Sequence, residues 1–285
     1  MLKGNKLRTA FIETSAINWF YKNQFNAVSA NKLLASKNLI PVVGMDTIYE
    51  LARCFTVEYE KAVNLFNFLK QLKPVYSCQR KVLYEQELNN LMQGSSVDPL
   101  LGYYTEEILT DRIKHYSMGI FDKTHEEFII GRQFFWDDCR EKLWSPENIK
   151  RNKGLTLQAY LTHCFKQIEI TPLILQKWIE ELTGKILSKD NIATLLKKLN
   201  TLPALRTALY SQFYLNFLII RNQATPREDR FTDSLQVIAA SYFSVIISHD
   251  NYLLNTLLPS LNPDQLGENI SSLVDSVHGE LCAVD

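Results

Sequence analysis

Apolar positions along this chain follow two textures. Short apolar runs mark buried strands, and stretches in which apolar residues recur every three or four positions mark amphipathic helices. Arg8-Thr9-Ala10-Phe11-Ile12 reads as a strand with Glu13 at its carboxyl end. Thr14 or Ser15 is placed to cap a helix over Ala16 to Lys22, and Asn26 to cap another over Ala27 to Ser36. Leu39-Ile40-Pro41-Val42-Val43 reads as a second strand, where Pro41 points to a strand start or an edge. After Gly44 a helix carrying Ile48, Leu51 and Ala52 is predicted, with Glu50 in its first turn. Another helix, with Ala62, Leu65, Phe66 and Leu69 on one face, opens near Thr56 and stops at Lys73-Pro74; Pro74-Val75-Tyr76 reads as a third strand.

From Gln79 to about Asn222 the strand signal fades. Helices are predicted over Lys81 to Met92, Thr105 to Tyr116, Lys123 to Trp144, Leu155 to Gln167, Leu173 to Leu182, Asn191 to Leu199 and Ala204 to Arg221. No constant repeat length runs through them, which argues against a solenoid. The mixed texture then resumes near Thr225. Leu235, Ile238, Ala239 and Tyr242 keep a helical period, and Ser244 to Ser248 is a short β-branched run that reads as a buried strand ending on His249-Asp250-Asn251. A further helical run, Tyr252 to Leu258, follows at once. Strands separated by helical patterns predict an α/β fold, a parallel sheet flanked by helices. Residues 1–78 and 223–285 would build it, with 79–222 as an all-helical insertion.

Composition bounds this picture. At 285 residues and 46% hydrophobic content, the chain can bury a substantial core as one large domain or two smaller ones. No apolar run approaches the ~18 residues of a membrane span, and the apolar run near the amino terminus is too short for a signal peptide. A cytoplasmic protein with no membrane partner is the expectation. The five cysteines are irregularly spaced, without a C-x-x-C pair, so a zinc site has little support and reduced structural thiols are expected. Net charge is zero but uneven: residues 140–230 carry 15 Lys/Arg against 8 Asp/Glu, and residues 231–285 carry 7 Asp/Glu and no Lys/Arg. Such a split suits a carboxylate centre beside a phosphate-binding face, and equally two faces that pair with each other.

Four acids occupy comparable places. Glu13 and Asp250 each follow a strand, while Glu50 and Asp233 each open a helix. If the strands are parallel, all four belong to the carboxyl edge of the sheet, where ligands bind in open α/β folds. Crowded carboxylates repel unless a cation neutralises them, and an all-oxygen set suits Mg²⁺ or Mn²⁺. Each acid also has a plain structural use. Thr47-Ile48-Tyr49-Glu50 fits a capping box, Asp233 suits a positive helix start, and Asp250 can cap the helix it precedes.

These pieces together resemble the PIN-domain nucleases. Phe11-Ile12-Glu13-Thr14-Ser15 resembles the family's opening hydrophobic-Asp-Thr-Asn element, with Glu and Ser replacing Asp and Asn. Tyr49-Glu50-Leu51 is similar to its helical Glu-Leu, Asp233-Ser234-Leu235 with Ile238-Ala239-Ala240 to its alanine-rich Asp helix, and Ile246-Ile247-Ser248-His249-Asp250 to its strand ending in Thr-x-Asp. The resemblance covers residues 8–76 and 228–258. It implies a metal-dependent endonuclease, acting on RNA more readily than DNA, in which Glu13, Glu50, Asp233 and Asp250 are catalytic and hold one or two divalent ions. Asp229 or Glu228 would add a ligand or base, and the products would be a 5′-phosphate and a 3′-hydroxyl. Arg53, on the helix face of Glu50, and Lys150, Arg151 and Lys153 are candidate phosphate contacts. A homo-oligomer or a neutralising partner protein, as toxin-like members have, is compatible with this reading. The alternative is a catalytically inactive PIN-like scaffold whose helical insertion binds a protein or nucleic acid.

Overall fold

The structure, a computed structural model, describes residues 8–102, 106–121, 154–222 and 228–282. Five strands form one parallel sheet: β1 (Arg8–Ile12), β2 (Leu39–Gly44), β3 (Val75–Ser77), β4 (Val245–Ser248) and β5 (Leu266–Asn269). Their spatial order is β3-β2-β1-β4-β5. Every neighbouring pair is parallel, with Phe11 opposite Val42 on one side and Ile246 on the other. Chain order reverses between β1 and β4, and in open α/β sheets such a switch point leaves a crevice at the carboxyl ends of the strands. Ala10, Phe11 and Ile12 are fully buried, and so are all four residues of β4, as befits central strands covered on both faces.

The helices, in chain order, are α1 (Thr14–Lys22), α2 (Ala27–Ser36), α3 (Met45–Arg53), α4 (Tyr59–Leu72), α5 (Arg80–Gln93) and α6 (Glu106–Ser117). They continue as α7 (Leu157–Ile170), α8 (Leu173–Thr183), α9 (Lys189–Lys198), α10 (Pro203–Asn222), α11 (Glu228–Ala239), α12 (Leu258–Leu261) and α13 (Ile270–Cys282). Among the described residues, no helix is long and apolar enough to cross a membrane. Asn26 caps α2 as its side chain predicts, accepting the Ser29 amide at 2.9 Å. The run predicted as helix from Tyr252 contains a π-helical stretch, Leu253–Leu257, ahead of α12.

The chain divides into two compact units, one drawn from residues 1–79, 99–123 and 239–285, the other from 80–98 and 124–238. Two segments therefore lie in a different unit from the one the sequence pattern assigns them. Residues 99–123 join the sheet unit because Leu100 bridges Ser77, the Cys78 and Leu101 amides pair with Pro99 and Tyr76 carbonyls at 2.8 Å each, and α6 packs on α4. Residues 223–238, read as part of the α/β core, fall in the second unit; helical periodicity shows that α11 has an apolar face but not which core receives it.

In the second unit α10 packs against α5 and α7, and α5 against α8 and α9. Its N-terminus is capped from a distance. Glu87 on α5 is fully buried, and its two carboxylate oxygens accept the Ala204 and Leu205 amides at 2.7 Å each. Those amides belong to the first turn, just after Pro203, where no intrahelical acceptor exists.

Strand β5 has no counterpart in the sequence reading. Leu266-Gly267-Glu268-Asn269 carries no β-branched residue and lies at the sheet edge, held by its ladder to β4. Gly267 lets β5 approach closely: a Cβ there would stand 2.9 Å from a terminal methyl of each of Leu254 and Leu258, so both leucine side chains would have to shift.

Candidate active site

The register Ile12 opposite Ile247 continues one step as the Glu13 amide donates to the Ile247 carbonyl at 3.0 Å, which sets Glu13 beside Ser248. Glu13 is buried, only 5% exposed, at the start of α1. The sequence favoured Thr14 or Ser15 as the cap of that helix; the structure gives the role to Glu13, whose Oε2 accepts the Ser15 amide at 2.9 Å. The same Oε2 accepts the Ser15 hydroxyl, and the Ser248 hydroxyl at 2.9 Å. Each serine oxygen in turn accepts a main-chain N–H, Ser15 from His249 at 2.8 Å and Ser248 from Asp250 at 3.0 Å. Three donors thus converge on one carboxylate oxygen, an arrangement that favours the ionised form. Burial nonetheless dominates and pushes the Glu13 carboxyl above its ordinary value of 4.5; the nearby negative charge of Asp250 adds to the push, against the pull of the Ser15 and Ser248 donors.

Asp250 takes up the capping role foreseen for it. Its Oδ1 accepts the amides of Tyr252 and Leu253 at 2.7 and 3.2 Å, fixing the turn that leaves β4. A common pattern emerges. Among the described residues, hydrogen bonds to Glu13 end on Oε2 and those to Asp250 end on Oδ1, so each acid keeps its second oxygen out of that network.

Glu50 is not in the first turn of its helix and makes no capping box. Helix α3 begins at Met45, with Gly44 at the cap position and no side-chain cap. Glu50 instead accepts the hydroxyl of Thr14, the residue after Glu13, which ties it to the same edge of the sheet. The acid nearest the end of β2 is Asp46, buried at 5% exposure in the first turn of α3. The sequence reading passed over it, although its place two residues after Gly44 was a signal. Arg53 lies in the last turn of α3, where a cation suits the negative helix end. Burial raises the pKa of the neighbouring Cys54 thiol; Cys54, Cys78 and Cys164 are free thiols.

Asp233 and Asp229 do not belong to this unit. Both lie on α11, in the part assigned to the second unit, and both flank Arg230: its Nη1 is 3.3 Å from Asp233 Oδ2, and its Nε 4.0 Å from Asp229 Oδ1. Of the four acids predicted to share a site, Glu13, Glu50 and Asp250 lie in the sheet unit, and Asp233 lies on α11 beside Arg230. Lys150, Arg151 and Lys153 lie outside the described residues.

Among the described residues, no group of three or more His, Cys, Asp or Glu side chains is placed to hold a metal ion. Two carboxylates are a different matter. Mg²⁺ keeps several waters and is often held by one or two carboxylates plus substrate phosphates. Glu13 and Asp250, each with one oxygen outside the hydrogen-bond network, have the chemistry for that mode of binding. One more oxygen lies close by in the chain. Asn18 donates its amide to the Thr14 carbonyl at 3.0 Å and keeps Oδ1 buried, without a partner among the described residues. No protein-family model, curated protein or solved structure matches this chain. The fold and this edge define an α/β protein with a parallel sheet and a carboxylate pair at its switch point.

Proposed function

We propose that this chain is a PIN-like, divalent-metal-dependent endonuclease that hydrolyses phosphodiester bonds, with RNA as the preferred substrate. The observation that carries the reading is the placement of Glu13 and Asp250 at the ends of β1 and β4, the two strands that flank the switch point. Ser15 and Ser248 hold the Glu13 carboxylate in one orientation, and the Tyr252 and Leu253 amides hold that of Asp250. Glu50, steadied by Thr14, adds negative charge along the same edge. A bound Mg²⁺ or Mn²⁺ would supply a water of lowered pKa and offset charge on the attacking and leaving oxygens. Arg53, Lys150, Arg151 and Lys153 are the proposed phosphate contacts.

The test is cleavage of labelled single-stranded RNA and DNA by the purified full chain with Mg²⁺, with Mn²⁺ and with a chelator. Metal-dependent cleavage that is lost in Glu13→Gln and Asp250→Asn is the expected result. Undiminished cleavage by both variants overturns the site, and no cleavage by folded protein under any condition overturns the activity.

A second reading, a non-catalytic PIN-like scaffold whose helical unit binds a protein or nucleic acid, draws support from the missing three-carboxylate group among the described residues. It predicts no heat of Mg²⁺ or Mn²⁺ binding by calorimetry on folded protein.

A further inference from the structure

Beside the carboxylates, His249 and Trp19 bring two aromatic faces together. Their ring centroids lie 6.4 Å apart with 39° between the planes. His249 is exposed, yet its position is tightly held. Its amide donates to Ser15 Oγ at 2.8 Å, and the residues on either side, Ser248 and Asp250, are anchored to Glu13 and to the next helical turn. Trp19 stands one helical turn beyond Ser15 on α1, partly exposed. It packs on Phe25 at 6.2 Å and meets the edge of the fully buried Phe20 at 5.8 Å. Trp19 therefore sits on a helix and His249 in the short hydrogen-bonded turn that follows β4, where Glu13 and Asp250 also lie.

The pair is not sealed into the core. It keeps the imidazole exposed beside acids, a setting in which an aromatic surface serves a flat, solvent-borne partner. Nucleobases are such partners: every base has a π-face, and base–aromatic stacking tolerates any sequence. A base within a duplex has its faces covered by neighbours, so a stacking surface selects strands whose bases are already unstacked.

We infer that Trp19 and His249 form a nucleobase-stacking platform that receives a single-stranded nucleic acid at the switch-point edge. The inference rests on the nuclease reading and adds to it the form of the substrate. The platform binds a base next to the phosphate that faces Glu13 and Asp250, and neither ring takes part in bond cleavage.

The test is equilibrium binding by fluorescence anisotropy, with the full chain, a chelator and low salt, so that no turnover contributes. The probes are one labelled single strand, the same strand annealed into a duplex, and the same strand with abasic sites. Wild-type protein is expected to prefer the intact single strand by on the order of tenfold over both other probes. His249→Leu, at an exposed position, and Trp19→Leu are each expected to weaken intact-strand binding to the abasic level, while Trp19→Phe retains most of it. Thermal melting of each variant checks that it is folded. Intact-strand binding by folded His249→Leu and Trp19→Leu that equals wild type, or wild-type binding that ignores the loss of bases, overturns the platform and leaves the nuclease reading standing. Absence of binding to any probe, together with absence of cleavage, overturns both.

Discussion

Ser248 donates its hydroxyl to Glu13 Oε2 at 2.9 Å, joining two residues that stand 235 positions apart in the chain. The bond crosses from the end of β4 to the start of α1. It makes the orientation of one acid depend on a strand that the chain reaches only after the whole helical unit.

Ser248→Ala is expected to remove that donor and to leave the Asp250 amide without its acceptor in a part-buried place. The cost is about 1–3 kcal/mol, readable as a lower midpoint in urea denaturation. Ser248→Thr, which keeps the hydroxyl, should stay close to wild type. Cleavage should fall in Ser248→Ala and its acid limb should move to higher pH, because a donor that favours ionised Glu13 is lost. An unmoved acid limb would show that Ser248 does not tune Glu13.

Glu13 also predicts a pH dependence of stability. Its carboxyl is raised above 4.5 in the folded protein, chiefly by burial. The folded state then holds this proton more tightly than the unfolded chain. The group contributes no penalty well below 4.5, and stability declines as pH rises from there through the folded value, above which the penalty is complete. Glu13→Gln escapes the penalty. Its thermal midpoint should exceed that of wild type at neutral pH, with the gap closing as the pH falls below the ordinary carboxylate range. Equal midpoints across the whole range would contradict the raised value.

Divalent ions should reverse part of that burden. Mg²⁺ or Mn²⁺ held by Glu13 and Asp250 would stabilise the folded state by about 2.7 kcal/mol at a hundredfold excess over its Kd. The thermal midpoint of wild type should rise with ion concentration, and that of Asp250→Asn should not. A parallel rise in both would place the ion elsewhere.

The second unit carries a prediction independent of function. Glu87→Ala leaves two first-turn amides of α10 buried without acceptors, at a cost of about 2–5 kcal/mol. Glu87→Gln keeps an acceptor oxygen and should lose less. Chemical denaturation of the two variants side by side measures the difference.

Much of the sheet unit was legible in local pattern. β1 runs over the residues read as the first strand, and β2, β3 and β4 lie within a residue or two of their predicted spans, because buried strands need continuous apolar runs. The capping of α2 by Asn26 was legible for the same reason, since donor and acceptor are three residues apart. Glu50 and Glu13 were harder. A capping box and a contact with Thr14 use the same carboxylate, and the choice depends on where α3 begins. Glu13 became a cap because Ser248 and Ser15 surround it, a circumstance set by the pairing of β1 with β4.

The sequence by itself determined the α/β class, the parallel strands at the centre of the sheet and the place of Glu13 and Asp250 just beyond strand ends. Periodicity and turn chemistry are written within a few neighbouring residues. Tertiary structure alone decided that β5 exists, that residues 99–123 join the sheet, and that Ser248 joins Ser15 in holding Glu13. An edge strand is held by a neighbour's backbone rather than by its own side chains. Which acids come together likewise depends on strand pairing across the whole chain, which no local window of residues contains.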